Sequence, residues 1–214
     1  MTGRTSVIIG ISGVTNSGKT SLTNKIRAHL PGCHTICQDS YFLPASDSRV
    51  AHIPELNNYN YEGIQRIKEV FLFLVLNALN MEAMVADVLS WKDAQSNSTP
   101  LGSTPNDMYS NVLIIEGFRM YAFRDLEQLF TKKFFLTIPY VVCKARRRRR
   151  RYYPPDTPGY FEKFVWPESI LHQREIQDQD DIEYLEGVGD QEKLCLKMVC
   201  DIKRLCNDKN NWNI

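Results

Sequence analysis

Apolar residues occur along the 214-residue chain in two kinds of pattern. Short, nearly continuous apolar runs are typical of strands buried on both faces, and they predict strands at 6–12, 33–37, 112–117 and 133–138, with a shorter one at 181–185. Apolar residues spaced three and four apart predict helices at 21–30, 76–91, 125–130, 140–151, 167–179 and 191–206. The alternation of strands and helices predicts an α/β fold, in which a parallel sheet is covered on both faces and a ligand binds at the carboxyl ends of the strands.

Three further segments complete this picture. Residues 96–111 are rich in Ser, Asn, Thr, Pro and Gly without any period, which predicts an exposed flexible loop, and residues 208–214 are expected to be a frayed tail. Val70 to Leu76 is the longest apolar run, and we expect it to extend the helix at 76–91 toward its N-terminus. The length and the 43% hydrophobic content predict one domain that spans 1–214.

Composition excludes several classes of protein. The 26 basic and 25 acidic residues leave a net charge of +1, which gives no overall field for nucleic acid or an anionic membrane. The six cysteines form no CxxC pair, so no zinc site is predicted. No secretory signal is visible, and the longest apolar run is far shorter than the roughly 20 residues of a membrane span. We therefore expect a soluble protein with reduced thiols in the cytoplasm, with a nuclear location also open.

One loop has a spacing that points to phosphate chemistry. Residues 13–20 (GVTNSGKT) fit G-x-x-x-x-G-K-[ST] between a predicted buried strand and a predicted helix. In such a loop the backbone N–H groups surround the phosphates, the lysine reaches the terminal phosphates, and the last hydroxyl can bind Mg²⁺. The residues predicted to bind ATP here are Gly13, Val14, Thr15, Asn16, Ser17, Gly18, Lys19 and Thr20.

Two carboxylates follow predicted strands at the same edge of the sheet. Glu116 ends the VLII strand, and Asp39 follows the strand at 33–37. Phosphoryl transfer needs an acidic group near the metal and another near the acceptor hydroxyl. Beside the phosphate loop we interpret both residues as part of the site rather than as solvated loop carboxylates.

A basic run, KARRRRRR at 144–151, leaves three interpretations open: a solvated helix face, a nucleic-acid patch, or a lid at about 144–160 whose arginines close over a triphosphate. Six successive arginines point all round a helix, so only two or three of them can face one site.

The whole set of motifs resembles a known family. GISGVTNSGKTSLTNKI, CQDSYF, LNALNMEAM, VLIIEGF, FLTIPY, YPPDTPGYF and VWP occur in the order found in nicotinamide riboside kinases of the animal type. The resemblance implies a P-loop kinase fold with a five-stranded parallel sheet. It also implies that the protein uses ATP and Mg²⁺ to phosphorylate the ribose 5′-hydroxyl of nicotinamide riboside. Nicotinic acid riboside is implied as a second substrate, and the reaction belongs to NAD biosynthesis.

The resemblance also implies roles for individual residues. Lys19 and Asp39 are the catalytic pair, with Asp39 as the base, while Thr20, Asp39 and Glu116 surround the metal. In the lid it places Arg146 and Arg150 at ATP. The residues expected at the nucleoside are Asp39, Phe42, Tyr61, Glu62, Arg147 and Tyr152, with Tyr152 stacked on the ring and Glu62 at the ribose. Residues 63–74 have no counterpart in the family pattern and are interpreted as an insertion.

Two other functions remain open. A uridine- or cytidine-type nucleoside kinase would share the phosphate and metal residues and differ in the base pocket. An RNA-associated P-loop protein would use the arginine run against phosphates, although the net charge does not extend such a surface. We expect a small nucleoside and ATP as the partners, with no nucleic acid or membrane; the oligomeric state is open.

Overall fold

The computed structural model describes residues 5–44, 46–50, 52–53, 58–59, 78–97, 107–152, 155–156 and 158–211. The strands are β1 (Val7–Gly13), β2 (His34–Cys37), β3 (His52–Ile53), β4 (Asn58–Tyr59), β5 (Val112–Glu116), β6 (Lys132–Thr137) and β7 (Ile182–Glu186). The α-helices are α1 (Lys19–His29), α2 (Met81–Asn97), α3 (Arg124–Glu127), α4 (Tyr140–Arg149), α5 (Trp166–Glu175) and α6 (Gln191–Asn211).

Five of the strands form one parallel sheet in the order β2-β5-β1-β6-β7. The central strand β1 pairs on one side with β5, with Ile11 opposite Glu116, and on the other side with β6, with Gly13 opposite Leu136. β3 and β4 form a separate antiparallel pair. The predicted α/β fold with a five-stranded parallel sheet is therefore confirmed.

Alternate residues of β1 pack on opposite faces of this sheet. Ile8 belongs to a buried cluster that includes Met84 of α2. Its neighbour Ile9 belongs to a second cluster with Ile26 of α1 and Ile202 of α6. Helices thus cover both faces, which explains why the strands are continuous apolar runs.

The beginning of α2 differs from the prediction. The helix starts at Met81 rather than at residue 76, because Leu79 makes a β-bridge to Phe42 and the side-chain carbonyl of Asn80 accepts a hydrogen bond from the Ala83 N–H at 3.2 Å. The apolar run at 70–76, which was expected to lengthen this helix, lies outside the described residues; residues 78–80, which are described, are not helical.

Other helix ends differ as well; for example, α5 ends at Glu175 rather than 179, and α3 ends at Glu127 rather than 130. α2 continues through Asn97, so the first two residues of the predicted loop at 96–111 are helical. α6 continues to Asn211 because no glycine or proline follows Cys206, so four residues of the predicted frayed tail are helical. α4 ends at Arg149 rather than 151, because Arg150 has an extended backbone (φ −87°, ψ 138°).

Part of the predicted organisation falls on residues that the structure does not describe. The proposed insertion at 63–74, most of the loop at 96–111, and the last three residues lie outside the described residues. Among the helices that are described, none is long and apolar enough to cross a membrane.

Candidate active site

A cavity of about 760 Å³ opens at the carboxyl ends of the strands. Six parts of the chain line it: the loop that joins β1 to α1, the segment after β2, the end of β5 with the residues after it, the lid with α5, Phe135 of β6, and Gln191 of α6. The predicted site residues that line it are Gly13, Val14, Thr15, Asn16, Gly18, Lys19, Thr20, Asp39, Phe42, Glu116, Arg146, Arg147, Arg150 and Tyr152.

The loop between β1 and α1 requires glycine at both ends. Gly13 has φ +146°, and a Cβ built on it would lie 2.4 Å from the backbone oxygen of Leu136 on β6. Gly18 has φ +100° and precedes the first turn of α1. The loop therefore turns sharply against β6 and delivers the N-terminus of α1 to the cavity, where backbone N–H groups favour an anion.

Lys19 lies across this loop. Its ammonium donates hydrogen bonds to the backbone oxygens of Gly13 at 3.0 Å and Val14 at 3.1 Å. Burial lowers the pKa of Lys19, while the negative charges of Glu116 and Asp39 act in the opposite direction. The lysine is thus a half-buried cation placed between a phosphate-binding loop and two carboxylates.

Oxygen atoms from α1 and β5 meet at the edge of the cavity. The Thr20 hydroxyl donates to Glu116 Oε2 at 3.0 Å, and the Cys37 thiol donates to Glu116 Oε1 at 3.3 Å. Burial and the Glu116 charge raise the pKa of Cys37 to about 11, so the thiol stays protonated. A hydroxyl and a carboxylate are ligands that Mg²⁺ prefers in proteins, usually together with water and substrate phosphates. The residues present therefore fit this metal.

Asp39 is positioned by the residue before it. Gln38 is fully buried in the short 3₁₀ helix after β2, and its side-chain carbonyl accepts from the backbone N–H groups of Phe118 at 2.9 Å and Arg119 at 3.3 Å. A Cβ on Gly117 would come within 2.5 Å of the same oxygen, so the two segments pack as closely as glycine permits. This contact holds Asp39 at the cavity beside the end of β5.

Only some of the lid arginines face the cavity. Arg146 donates to the backbone oxygens of Asn16 at 3.1 Å, Ser17 at 3.3 Å and Gly187 at 3.1 Å. Arg147 is 5% exposed and forms a two-fold ion pair with Asp156, with Nε–Oδ2 at 2.6 Å and Nη2–Oδ1 at 3.0 Å.

The rest of the run is exposed, namely Arg148, Arg149, Arg150 and Arg151. Of these four, Arg150 also lines the cavity.

An aromatic side chain joins these arginines to the phosphate loop. The ring of Tyr152 lies 4.3 Å from the guanidinium carbon of Arg147 and 5.2 Å from that of Arg150. Its hydroxyl donates to the side-chain oxygen of Asn16 at 3.0 Å. Across the cavity Phe42 stacks on Phe118, with ring centres 6.1 Å apart.

The same cavity also holds a group of charged residues that the sequence patterns did not predict. Arg119, Glu168 and His172 line it and are 2%, 5% and 3% exposed. Arg119 donates to Glu168 Oε2 at 3.0 Å and to Glu175 Oε2 at 2.7 Å. Glu168 and His172 are four residues apart on a predicted helix, and this spacing could have indicated that their side chains share one face.

Two predicted residues cannot be compared with this geometry. Tyr61 and Glu62, expected at the nucleoside, lie outside the described residues. Ser17, the remaining member of the phosphate loop, is fully buried beneath it and does not line the cavity.

Solved structures share the fold at low identity. The chain matches a gluconokinase from Sinorhizobium meliloti with a TM-score of 0.55 at 12% identity, over 99% of both chains. It matches a sugar kinase from Janibacter with a TM-score of 0.54 at 14% identity, over 94% of this chain and 98% of the other. These matches confirm the P-loop kinase-like fold.

Curated sequences are more similar, whereas no family model matches the chain. Nicotinamide riboside kinase 1 of Homo sapiens is 39% identical over 91% of this chain and 91% of its own length. Nicotinamide riboside kinase 2 of Mus musculus is 38% identical over 94% of this chain and 98% of its own length. Matches of this identity across nearly whole chains, on a P-loop kinase-like fold, show that the chain belongs to the nicotinamide riboside kinase family.

Proposed function

We propose that the protein transfers the γ-phosphoryl group of ATP to the ribose 5′-hydroxyl of nicotinamide riboside, which forms nicotinamide mononucleotide and ADP. One observation carries the proposal: a single cavity is lined both by the phosphate loop with Lys19 and by Asp39. The family relatives, which are named nicotinamide riboside kinases, supply the nucleoside. The proposal includes a cytoplasmic location, with a nuclear location also open.

The proposed ATP position follows from the donors around the loop. The backbone N–H groups at the start of α1 bind the phosphates, and Lys19 turns from the loop carbonyls toward the γ-phosphoryl group. Arg150 adds a cation from the lid side of the cavity. Arg146 contributes by fixing the loop itself, since its guanidinium already binds three backbone oxygens. Charge that develops on the transferred group is thereby met by cations already in place.

The proposed metal site uses the oxygens of Thr20, Glu116 and Asp39. When bound, Mg²⁺ would neutralise phosphate charge and orient the phosphate oxygens. Glu116 is held by the Thr20 hydroxyl and the Cys37 thiol, so its carboxylate has a fixed orientation before a ligand arrives.

The proposed acceptor position lies at Asp39. The carboxylate accepts the proton of the 5′-hydroxyl while that oxygen bonds to the γ-phosphorus and the bond to the β-phosphate oxygen breaks, with ADP as the leaving group. The bonds of Gln38 to the segment after β5 fix the backbone beside Asp39, so the base starts from a defined position at the cavity.

The proposed nucleoside contacts combine aromatic faces with one guanidinium. Phe42 and Tyr152 offer rings to a cationic pyridinium, and Arg147 is oriented by Asp156 toward the ribose. Tyr61 and Glu62 are kept in the proposal as the stacking and ribose-binding pair that the family resemblance implies.

The test is ADP production by the purified protein with nicotinamide riboside, with uridine and with no acceptor. We expect turnover with nicotinamide riboside only. Lys19→Ala should lower kcat by about 100-fold or more without loss of the folded state, because it removes a cation that serves the transferring group. Faster ADP production with uridine than with nicotinamide riboside would favour a uridine-type kinase. ADP production that does not depend on an acceptor, together with an RNA affinity that depends on salt, would favour an RNA-associated protein.

A further inference from the structure

One hydrogen bond joins the phosphate loop to a ring that is proposed to contact the nucleoside. The Tyr152 hydroxyl and Oδ1 of Asn16 lie 3.0 Å apart. On the other side of the same amide, Nδ2 donates to Thr15 Oγ1 at 3.2 Å. An amide has one donor end and one acceptor end, so these contacts fix which end faces Tyr152 and make the tyrosine hydroxyl the donor. The proposed reaction assigns no role to this amide.

The backbone of Asn16 determines where the acceptor oxygen lies. Asn16 has φ +58°, and among the residues that the structure describes it is the only one other than glycine with a positive φ. This left-handed conformation is unfavourable for most side chains, and asparagine is one of the few residue types that adopt it readily. Because the backbone sets the direction of the side chain, Oδ1 keeps its position only while the phosphate loop keeps this turn.

The position of the Tyr152 ring depends on side-chain contacts. Tyr152 lies beyond the end of α4, since the helix ends at Arg149 and Arg150 is extended. Its ring contacts the guanidinium groups of Arg147 at 4.3 Å and Arg150 at 5.2 Å, and such contacts tolerate several ring directions. A hydrogen bond is directional. The bond to Asn16 therefore orients the ring that lines the cavity.

A bound nucleotide changes the contacts on both sides of Asn16. In the structure the Lys19 ammonium donates to the backbone oxygens of Gly13 and Val14. In the proposed complex, Lys19 and the backbone N–H groups of the loop bind phosphate oxygens instead. An unfavourable backbone conformation persists only where its surroundings hold it, so the phosphates stabilise the left-handed turn at Asn16.

We propose, as a refinement that rests on the proposed function, that Asn16 is a positioning residue that couples the binding of the two substrates. The phosphates of the nucleotide hold Asn16, Asn16 orients the Tyr152 ring, and the oriented ring binds the pyridinium of the riboside more tightly. Orienting a side chain before its ligand arrives lowers the entropy that is lost on binding. The coupling is reciprocal, so the riboside raises the affinity for the nucleotide by the same factor.

The test measures the dissociation constant of nicotinamide riboside by calorimetry, without nucleotide and with saturating ADP and Mg²⁺. ADP brings phosphates to the loop but has no γ-phosphoryl group to transfer, so no turnover occurs. In the unmodified protein we expect ADP to tighten riboside binding about fivefold, because one neutral hydrogen bond corresponds to about a two- to tenfold change in a binding constant. An effect of ADP below about twofold overturns this inference.

Two variants remove the two ends of the bond. Tyr152→Phe keeps the ring and loses only the hydroxyl, whereas Asn16→Gly loses the amide and keeps a residue that accepts φ +58°. In each variant the effect of ADP on riboside binding should fall below about twofold. A purely structural role would weaken riboside binding equally with and without ADP, so an effect of ADP that stays at about fivefold in both variants overturns the proposal.

The double variant tests whether the two residues act through the same bond. With ADP present it should bind the riboside within about twofold of the weaker single variant, because each single substitution already removes the bond. Losses that multiply would show two independent roles and would overturn the coupling through Asn16. If Asn16→Gly fails to fold, Tyr152→Phe alone decides the proposal.

The matched control is Tyr184→Phe, which removes a tyrosine hydroxyl on β7 outside the cavity and should leave the fivefold effect of ADP unchanged. Loss of the effect in this control as well would overturn its assignment to Asn16. ADP production separates this inference from the proposed function. Production that depends on the riboside, without coupling, overturns this inference alone, whereas no riboside-dependent production overturns the proposed function and this refinement with it.

Discussion

The buried imidazole of His172 predicts a specific dependence of stability on pH. Its pKa is lowered from 6.5 to about 3, chiefly by burial and further by the charges of Arg119 and Lys19. Between those two pH values the unfolded chain binds a proton that the folded protein does not bind, so the free energy of unfolding falls as the pH is lowered. pH 5 lies about 1.5 units below the pKa of the histidine in the unfolded chain. At about 1.36 kcal/mol per unit, the free energy of unfolding is therefore about 2 kcal/mol lower at pH 5 than at pH 7.

The measurement is urea unfolding of the protein and of His172→Phe at pH 7 and at pH 5. Titration of the carboxylates contributes to both proteins and cancels in the comparison, so the unmodified protein should lose about 2 kcal/mol more than the variant between the two pH values. At a chain length of 214 residues this corresponds to an extra fall in Tm of roughly 4–8 °C. Equal losses for the two proteins would show that the pKa of His172 is not lowered in the folded state, and the effect assigned to its burial would then be wrong.

Three further substitutions test the loop, the base and the lid. Gly13→Ala should lower the free energy of unfolding, measured by thermal unfolding, by more than about 3 kcal/mol, because the new Cβ would lie 2.4 Å from a backbone oxygen. The control is Gly189→Ala, at φ +111° with no atom within 4 Å of the new Cβ, which should cost about half as much or less. Asp39→Asn should lower kcat at least about 100-fold, since the amide cannot accept the hydroxyl proton, and it should leave the ATP affinity measured by calorimetry within about threefold. Activity within about tenfold of the original would exclude Asp39 as the base. Arg147→Ala should lower kcat/KM for the nucleoside at least about tenfold, whereas Arg149→Ala should lower it less than about twofold, because of these two only Arg147 is buried at the cavity. Similar effects of the two substitutions would mean that the basic run is a solvated charged surface.

Sequence alone predicted the parts of the site whose spacing is local. The phosphate loop is a contiguous pattern between a strand and a helix, and Asp39 and Glu116 are each recognisable as the residue at a strand end. These features depend only on neighbouring residues and on the rule that parallel strands place their carboxyl ends together. The structure accordingly brings all three to one cavity.

The parts that could not be predicted depend on contacts between distant segments. Arg119 and Glu168 are 49 residues apart, and nothing in either local pattern indicates that they pair. Within the arginine run, the choice of Arg147 as the buried member is determined by Asp156 and by how α4 packs, which a run of identical residues does not specify. The start of α2 could have been predicted from Asn80, since asparagine is a preferred residue at the N-terminal cap of a helix. The continuous apolar residues before it instead suggested a longer helix.

The three hydrogen bonds of Arg146 tie together parts of the chain that are far apart in sequence. They fasten α4 to the phosphate loop and to the turn after β7. A shift of α4 would therefore also move the backbone oxygens of Asn16 and Ser17. The first part of the lid and the phosphate loop thus behave as one mechanical unit, and a change at either one is transmitted directly to the other.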